Sequence, residues 1–309
     1  RFCIFCRSNN TKKFGKQRGL QRYQCTACGK TFQALRKYNR LRKCILREYV
    51  WGRQTASQLA MTYDKSERWI RKQIEEAEQS VHALTPQPTS LACDMTFWGR
   101  SYGVMVFRSP TLKKNLWWKE SFQETPWVYE EGLRKLLADG WAITSVVIDG
   151  KRGVAQVFER YGIPVQYCQF HQVKTVTKYL TRRPQTEAAQ ELRTLTLTLK
   201  DATEEQFRVN LAAWHERHKE FLHERSLTPY KKRGWEYTHR RVRAAYRSLQ
   251  VNLSHLFTYQ RYPHYHIPNT TNTLDGMFSQ IKNRLAVHRG LRRDRRYKIV
   301  AAILSGKEN

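Results

Sequence analysis

Apolar positions fall into three successive patterns along the chain. Between residues 36 and 82 the spacing is helical: Leu41, Cys44, Ile45 and Tyr49 share one face of a first helix. Thr55-x-x-Gln58 is a capping-box start for a second helix, with Leu59 facing inward. A short turn over 62–65 follows, and Ser66 is placed to cap a third helix striped with Trp69, Ile70 and Ile74. Beyond the linker-like Thr85-Pro86-Gln87-Pro88, the period shortens. Residues 90–98, 101–108 and 115–122 read as three strands joined by short turns. They are followed by an amphipathic helix over 127–137, a buried strand over 144–149 and a short strand over 163–166. Residues 185–260 then lose all strand character; charged and rich in Leu and Ala, they read as helical throughout. Residues 269–305 return to compact helix, and no internal repeat or low-complexity segment interrupts the chain.

Three antiparallel strands, a helix, a strand, a helix and another strand is the order of an RNase H-like α/β fold. The predicted layout is a short Cys-bearing module at 1–33 and a helix-turn-helix at 36–84. A first part of the core follows at 89–184, then an all-helical insertion at 185–266 and the core's C-terminal helices at 267–309.

Charge narrows the choice of partner. Lys and Arg number 56 against 26 Asp and Glu, for a formal charge of +30 in 309 residues. Residues 1–72 hold 19 basic against 3 acidic side chains, and 225–300 hold 17 against 3. Two basic regions far apart in sequence suit an extended contact with a duplex, although a solubilising surface or ribosome association has the same composition. Arg68, Arg71 and Lys72 lie off the apolar stripe of the third helix, where a helix-turn-helix presents side chains to the major groove. With Ser66 they are the candidate DNA contacts. His288-Arg289-Gly290-Leu291 reads either as a loop touching phosphates, with His288 and Arg289 making the contact, or as a plain helix stop. No apolar run approaches the length of a membrane span. No secretory signal is seen, and the chain opens at Arg1, which leaves room for preceding sequence.

Cys3-x-x-Cys6 and Cys25-x-x-Cys28 are two knuckles joined by the loop from Cys6 to Cys25, the ligand pattern of a structural zinc ribbon. Phe2 and Phe5 flank the first, and Tyr23, Gly29, Lys30 and Phe32 the second. Cys44, Cys93 and Cys168 fall outside the pattern.

Three acids stand in distinct settings. Asp94 interrupts the apolar strand Leu91-Ala92-Cys93-Asp94-Met95-Thr96-Phe97, where a carboxylate is costly unless it meets a cation or a partner. Asp149 ends the apolar run 145–148 beside Gly150. Asp275 lies just inside a helix that begins near Asn272, and Lys282 follows two turns later on the same face, where it could hold a DNA phosphate. At these residues the chain resembles the DDE transposases, specifically the Mutator-like group with its bacterial insertion-sequence relatives. The resemblance covers essentially the whole chain. It rests on Asp94, on Asp149, on Cys168-Gln169-Phe170-His171 shortly after it, and on Asn272-Thr273-Leu274-Asp275 with Lys282. A long helical insertion before the last acid also belongs to that group, and here 126 positions separate Asp149 from Asp275.

The resemblance implies an enzyme that binds terminal inverted repeats, cleaves the strand at the element end and transfers the 3′-hydroxyl to target DNA. Asp94, Asp149 and Asp275 would hold two Mg²⁺ or Mn²⁺ ions astride the scissile phosphate, with Zn²⁺ in the ribbon. It also implies double-stranded DNA as partner, a homodimer or higher oligomer on that DNA, no membrane partner, and residence in the bacterial cytoplasm at the nucleoid. Cys168 and His171 are too few for a second metal site of their own. They read as a structural pair near the acids or, for His171, as a contact to the scissile strand. Trp214 and Trp235 read as core or as a stacking surface for an unpaired base. The family's third acid is usually Glu, and no Glu occurs between Glu236 and Glu308, so Asp275 takes that place; Asp294, inside a run of arginines, reads as an ion-paired surface residue. Two other functions use the same features: a DNA-binding protein that has lost catalysis, and a metal-dependent nuclease without strand transfer.

Overall fold

The computed structural model describes residues 2–17, 20–33, 36–77, 84–99, 102–230 and 232–306. Ser101, at the start of the second predicted strand, and residues 78–83 of the predicted helix-turn-helix lie outside the described residues. The chain divides into two compact units, Arg1–His82 with Ile281–Asn309, and Ala83–Gln280.

The first unit opens with the antiparallel strands β1 (Thr11–Gln17), β2 (Leu20–Cys25) and β3 (Thr31–Gln33). Three helices follow: α1 (Arg36–Val50), α2 (Ala56–Tyr63) and α3 (Glu67–Glu76). The capping box forms as the sequence predicts. Thr55 accepts from the Gln58 N–H at 3.2 Å, and the Gln58 side chain accepts from the Thr55 N–H at 2.8 Å. Ser66 caps α3 by accepting from the Trp69 N–H at 3.2 Å. Ile45, Tyr49, Leu59, Ile70 and Ile74 are buried where the three helices meet.

The second unit is built on a five-stranded mixed sheet. Its strands are β4 (Thr89–Phe97), β5 (Gly103–Ser109), β6 (Lys114–Ser121), β7 (Ile143–Ile148) and β8 (Val165–Tyr167). The order is β6-β5-β4-β7-β8, with β4, β5 and β6 antiparallel and β7 and β8 parallel to β4. The connections α4 (Pro126–Ala138) and α5 (Ala155–Glu159) cover one face, where Leu91, Cys93, Met95, Phe107, Tyr129, Leu133, Val146, Ile148 and Phe158 make the core. Helix α4 comes close to the sheet at Gly132, where a Cβ would stand 2.7 Å from the Trp117 ring. The other face of the central strands is covered by Cys168 and Ile267 against Val147.

Helix α6 (Gln169–Leu180) leads into α7 (Glu187–Leu197), α8 (Glu204–Arg217) and α9 (Lys219–His223). These pack with a later helix around Val176, Leu192, Phe207, Trp214, Leu249 and Phe257. Residues 185–266 are not all-helical as expected. Between α9 and α10 (Arg240–Leu256) lies an antiparallel hairpin, β9 (Arg225–Leu227) with β10 (Trp235–Tyr237). Pro229 cannot carry a helix onward, Gly234 takes φ +67°, and Arg225 lies over the Trp235 ring at 4.0 Å. Helical composition on either side hides so short a pair of strands. Helices α11 (Thr258–Arg261) and α12 (Asn272–Leu285) follow, and the boundary between the units falls within α12.

The last helix, α13 (Arg293–Ser305), belongs to the first unit. Sequence pattern groups 267–309 with the sheet, whereas packing puts 281–309 with the N-terminal helices. α13 lies against α1 and buries Ile299, Val300 and Leu304. Arg295 pairs with Glu75, and Arg284 stands over the Trp51 ring at 4.6 Å while donating to its carbonyl.

Candidate functional site

Each Cys-x-x-Cys knuckle brings its sulfurs to the same point. Cys3 Sγ lies 3.6 Å from Cys28 Sγ, and Cys6 Sγ 3.5 Å from Cys25 Sγ. A tetrahedron with Zn–S near ~2.3 Å has edges of about 3.8 Å, so the cluster has the size of a Cys₄ metal site. All four ligand atoms lie within 4.8 Å of one another. Their protonation pulls in opposite directions. Burial raises the Cys3 thiol, but the N–H groups of Cys6 and Phe5 and the nearby sulfurs outweigh it and lower it to about 7. At Cys6 the Ser8 N–H lowers the thiol, yet burial and the three other sulfurs push it up to about 12. A cation bound among the four sulfurs could stabilise them as thiolates.

The second cluster sits at the carboxyl ends of the parallel strands. In the β4–β7 register Ala92 stands opposite Val147; Asp94 lies two residues further along β4, and Asp149 directly follows the end of β7 at Ile148. Asp94 alternates with the core-facing Cys93 and Met95, so its side chain points to the opposite face. Its Oδ1 accepts from the Met95 N–H at 2.7 Å. Asp149 Oδ1 accepts from the Lys151 N–H at 3.0 Å across a turn in which Gly150 takes φ +84°, a conformation costly to residues with a Cβ. Asp275 arrives from the first turn of α12, with its Oδ2 buried and without a hydrogen-bond partner. Asp94, Asp275 and His171 bring ligand atoms within 4.8 Å of one another, an arrangement that could hold a metal ion. Asp149 is outside that trio but close enough for its charge to be felt at Asp94.

Burial, with the charges of Asp149 and Asp275, raises the Asp94 carboxyl to about 7 against the Met95 N–H and His171, which lower it. Burial and the charge of Glu124 likewise raise Asp149. A carboxyl raised in the fold takes up protons on folding, so its stabilising effect is present below about pH 4 and is lost as pH rises through about 7. Without Mg²⁺ or Mn²⁺, the melting temperature of the protein is expected to fall from pH 5.5 to pH 8, and Asp94→Asn should flatten that slope. Thermal melts of both zinc-replete proteins in buffer without Mg²⁺ or Mn²⁺ check this; equal slopes would refute it.

Sequence reasoning missed two participants. Glu124 accepts from the Tyr129 hydroxyl at 2.7 Å and pairs with Lys151 at 3.1 Å, which places a fourth carboxylate near Asp149; it precedes a Pro-started helix and so reads as a loop residue. Thr271, fully buried, donates its N–H and hydroxyl to Cys168 Sγ at 3.3 and 3.4 Å. Cys168 itself donates its N–H to the Ile148 carbonyl at 2.7 Å, beside Asp149.

The candidate DNA contacts are mixed in exposure. Ser66, Arg68, Arg71, Lys72, Lys282 and Arg289 are exposed. Arg71 and Lys72 pair with Glu67 and Glu76 along α3 at 2.6 and 3.8 Å, and such exposed pairs open at little cost. His288 departs from expectation: it is buried and stacks on Tyr49 at 4.0 Å. Burial lowers its pKa, and the ring packs in the core of the first unit. Asp294 is exposed and pairs with Arg292 at 3.1 Å. Trp214 is buried, its Nε1 donating to the Ala188 carbonyl; Trp235 is half-buried.

No family model and no curated protein matches the chain. Among the described residues no helix is long and apolar enough to cross a membrane.

Proposed function

We propose that this chain is a DDE-type DNA transposase whose sheet is the core of an RNase H-like domain, and whose first unit carries a zinc ribbon and a helix-turn-helix. The observation that carries the reading is the approach of Asp94 on β4 to Asp275 on α12, with Asp149, just past the end of the parallel strand β7, near enough for its charge to act on Asp94. The unpartnered Oδ2 of Asp275 and the raised Asp94 carboxyl fit a site made for cations. Divalent ions bound there supply Lewis-acid activation of water or a 3′-hydroxyl and neutralise charge on the leaving oxygen. The chain's own part is to hold the carboxylates at strand and helix ends, where the backbone fixes their spacing. The basic surplus binds phosphate along the duplex, and Arg68, Arg71 and Lys72 on α3 read the element ends. The partners are element-end and target DNA and a second copy of the chain, since two ends must be joined in one event.

Labelled duplexes from the DNA flanking the gene, incubated with the protein and Mn²⁺ or Mg²⁺, should yield a cut at the element end and a strand joined to target. Cutting without joined product would make it a nuclease; binding with neither would make it a DNA-binding protein. Binding should weaken steeply with salt. Arg68→Ala or Arg71→Ala should cost about 1–3 kcal/mol of discrimination between the proper end and random DNA. If both variants discriminate fully, α3 is not the reading helix.

A further inference from the structure

We infer that His171 binds a divalent ion through Nε2 beside Asp94 and Asp275, making a mixed nitrogen–oxygen site that prefers a first-row transition dication to Mg²⁺. The inference deepens the proposed function and rests on its placing of the metal among these acids.

The trio is the only group containing a histidine, among the described residues, that brings three ligand atoms this close. An imidazole set between two carboxylates changes what the site can hold. Mg²⁺ favours an all-oxygen shell, whereas imidazole nitrogen adds affinity for first-row transition ions.

The surroundings of the ring suit a ligand. Metal-binding histidines almost always donate their second N–H to an outer partner, which fixes tautomer and orientation. His171 Nδ1 lies 3.4 Å from Thr271 Oγ1. The Thr271 hydroxyl and N–H both point to Cys168 Sγ, and the His171 ring also hydrogen-bonds the Cys168 side chain; with Nδ1 engaged by Thr271, Nε2 is the nitrogen assigned to the ion.

The same atoms fasten together the two helices that carry the ligands. Cys168 immediately precedes α6, with His171 in its first turn. Thr271 precedes α12, and its carbonyl accepts from the Asp275 N–H at 3.2 Å. A second clasp, Gln169 N–H to the Asn269 carbonyl at 2.9 Å and Asn269 Nδ2 to Gln169 Oε1 at 3.0 Å, holds these segments in register. Cys168 and Thr271 are thus positioning residues, and the Cys-x-x-His spacing gains a physical reason: it puts the support at the strand end and the ligand one helical turn beyond.

The zinc-replete full chain, titrated with Mn²⁺ and with Mg²⁺, should bind Mn²⁺ at least about tenfold more tightly, in line with the effect of a single nitrogen ligand or its support. Pulsed EPR of bound Mn²⁺ should show ¹⁴N coupling that becomes ¹⁵N coupling when the protein carries ¹⁵N-histidine. His171→Gln, which leaves only oxygen donors in reach, should abolish the coupling and shrink the Mn²⁺ preference. Thr271→Val should raise the Mn²⁺ Kd about tenfold, and Thr271→Ser should restore it. Bound Mn²⁺ without histidine coupling in the unaltered chain overturns the inference, as do coupling that survives His171→Gln and a failure to bind Mn²⁺; the isotope measurement needs no variant to fold. Strand transfer alongside missing coupling would overturn this ligand assignment and leave the proposed function standing. Coupling without any strand cleavage would do the reverse.

Discussion

Asp275→Asn is expected to lower metal-dependent strand cleavage by at least about a thousandfold while DNA binding survives. The substitution keeps the size of the side chain and removes the charge of a buried oxygen that has no hydrogen-bond partner. A bound cation contributes several kcal/mol to a transition state that gathers negative charge. Every loss of ~1.4 kcal/mol there slows the reaction about tenfold. Asp275→Glu should be partly active, because one more methylene changes the reach while the charge returns. Asp294→Asn should leave chemistry intact, since that residue is exposed and paired with Arg292. Cleavage assays on end-bearing duplexes, with gel-shift binding measured in parallel, separate the cases. If Asp275→Asn cuts and joins at the normal rate, another carboxylate completes the site, and Glu124, whose charge acts on Asp149, becomes the candidate.

The second large effect concerns the four cysteines. Removing the metal should unfold residues 2–33 and leave the five-stranded unit folded. Among the described residues, the buried core of this module amounts to Cys3, Cys25 and Phe32, with Tyr23 and Cys28 packed beside them, which is too little to offset chain entropy. Metal binding in comparable small zinc modules supplies about 10–16 kcal/mol. Purified protein should contain one zinc per chain. Chelation or Cys25→Ser should expose the module to protease and weaken end binding. Protein that contains no zinc, or whose cysteine module stays protected after chelation, would contradict the assignment.

If α3 reads DNA as proposed, exposed Arg68 stands differently from Arg71. Arg71 is tied to Glu67, so its release accompanies binding, and its substitution should change the salt dependence less cleanly than that of Arg68.

Much of the architecture was legible because its causes are local. Alternating apolar residues marked β4 to β8 within a few residues of their ends. Thr55-x-x-Gln58 and Ser66 declared helix starts, since a cap is a bond between near neighbours in sequence. The four cysteines announced their cluster through spacing alone, and Asp94 stood out because an acid in an apolar strand is costly. Tertiary structure decided what depends on groups far apart in sequence. Asp94 on β4 meets His171 on α6 and Asp275 on α12, and Cys168 is clasped to Thr271 across the whole helical insertion; no local pattern encodes either. Packing also reassigned His288, whose loop looks exposed by composition but whose ring is buried on Tyr49. It grouped α13 with the N-terminal helices because its apolar face found α1, and it set a hairpin within a segment of helical composition. Short-range hydrogen bonding and periodicity write themselves into sequence, whereas the choice of which surfaces bury one another is settled only when the whole chain folds.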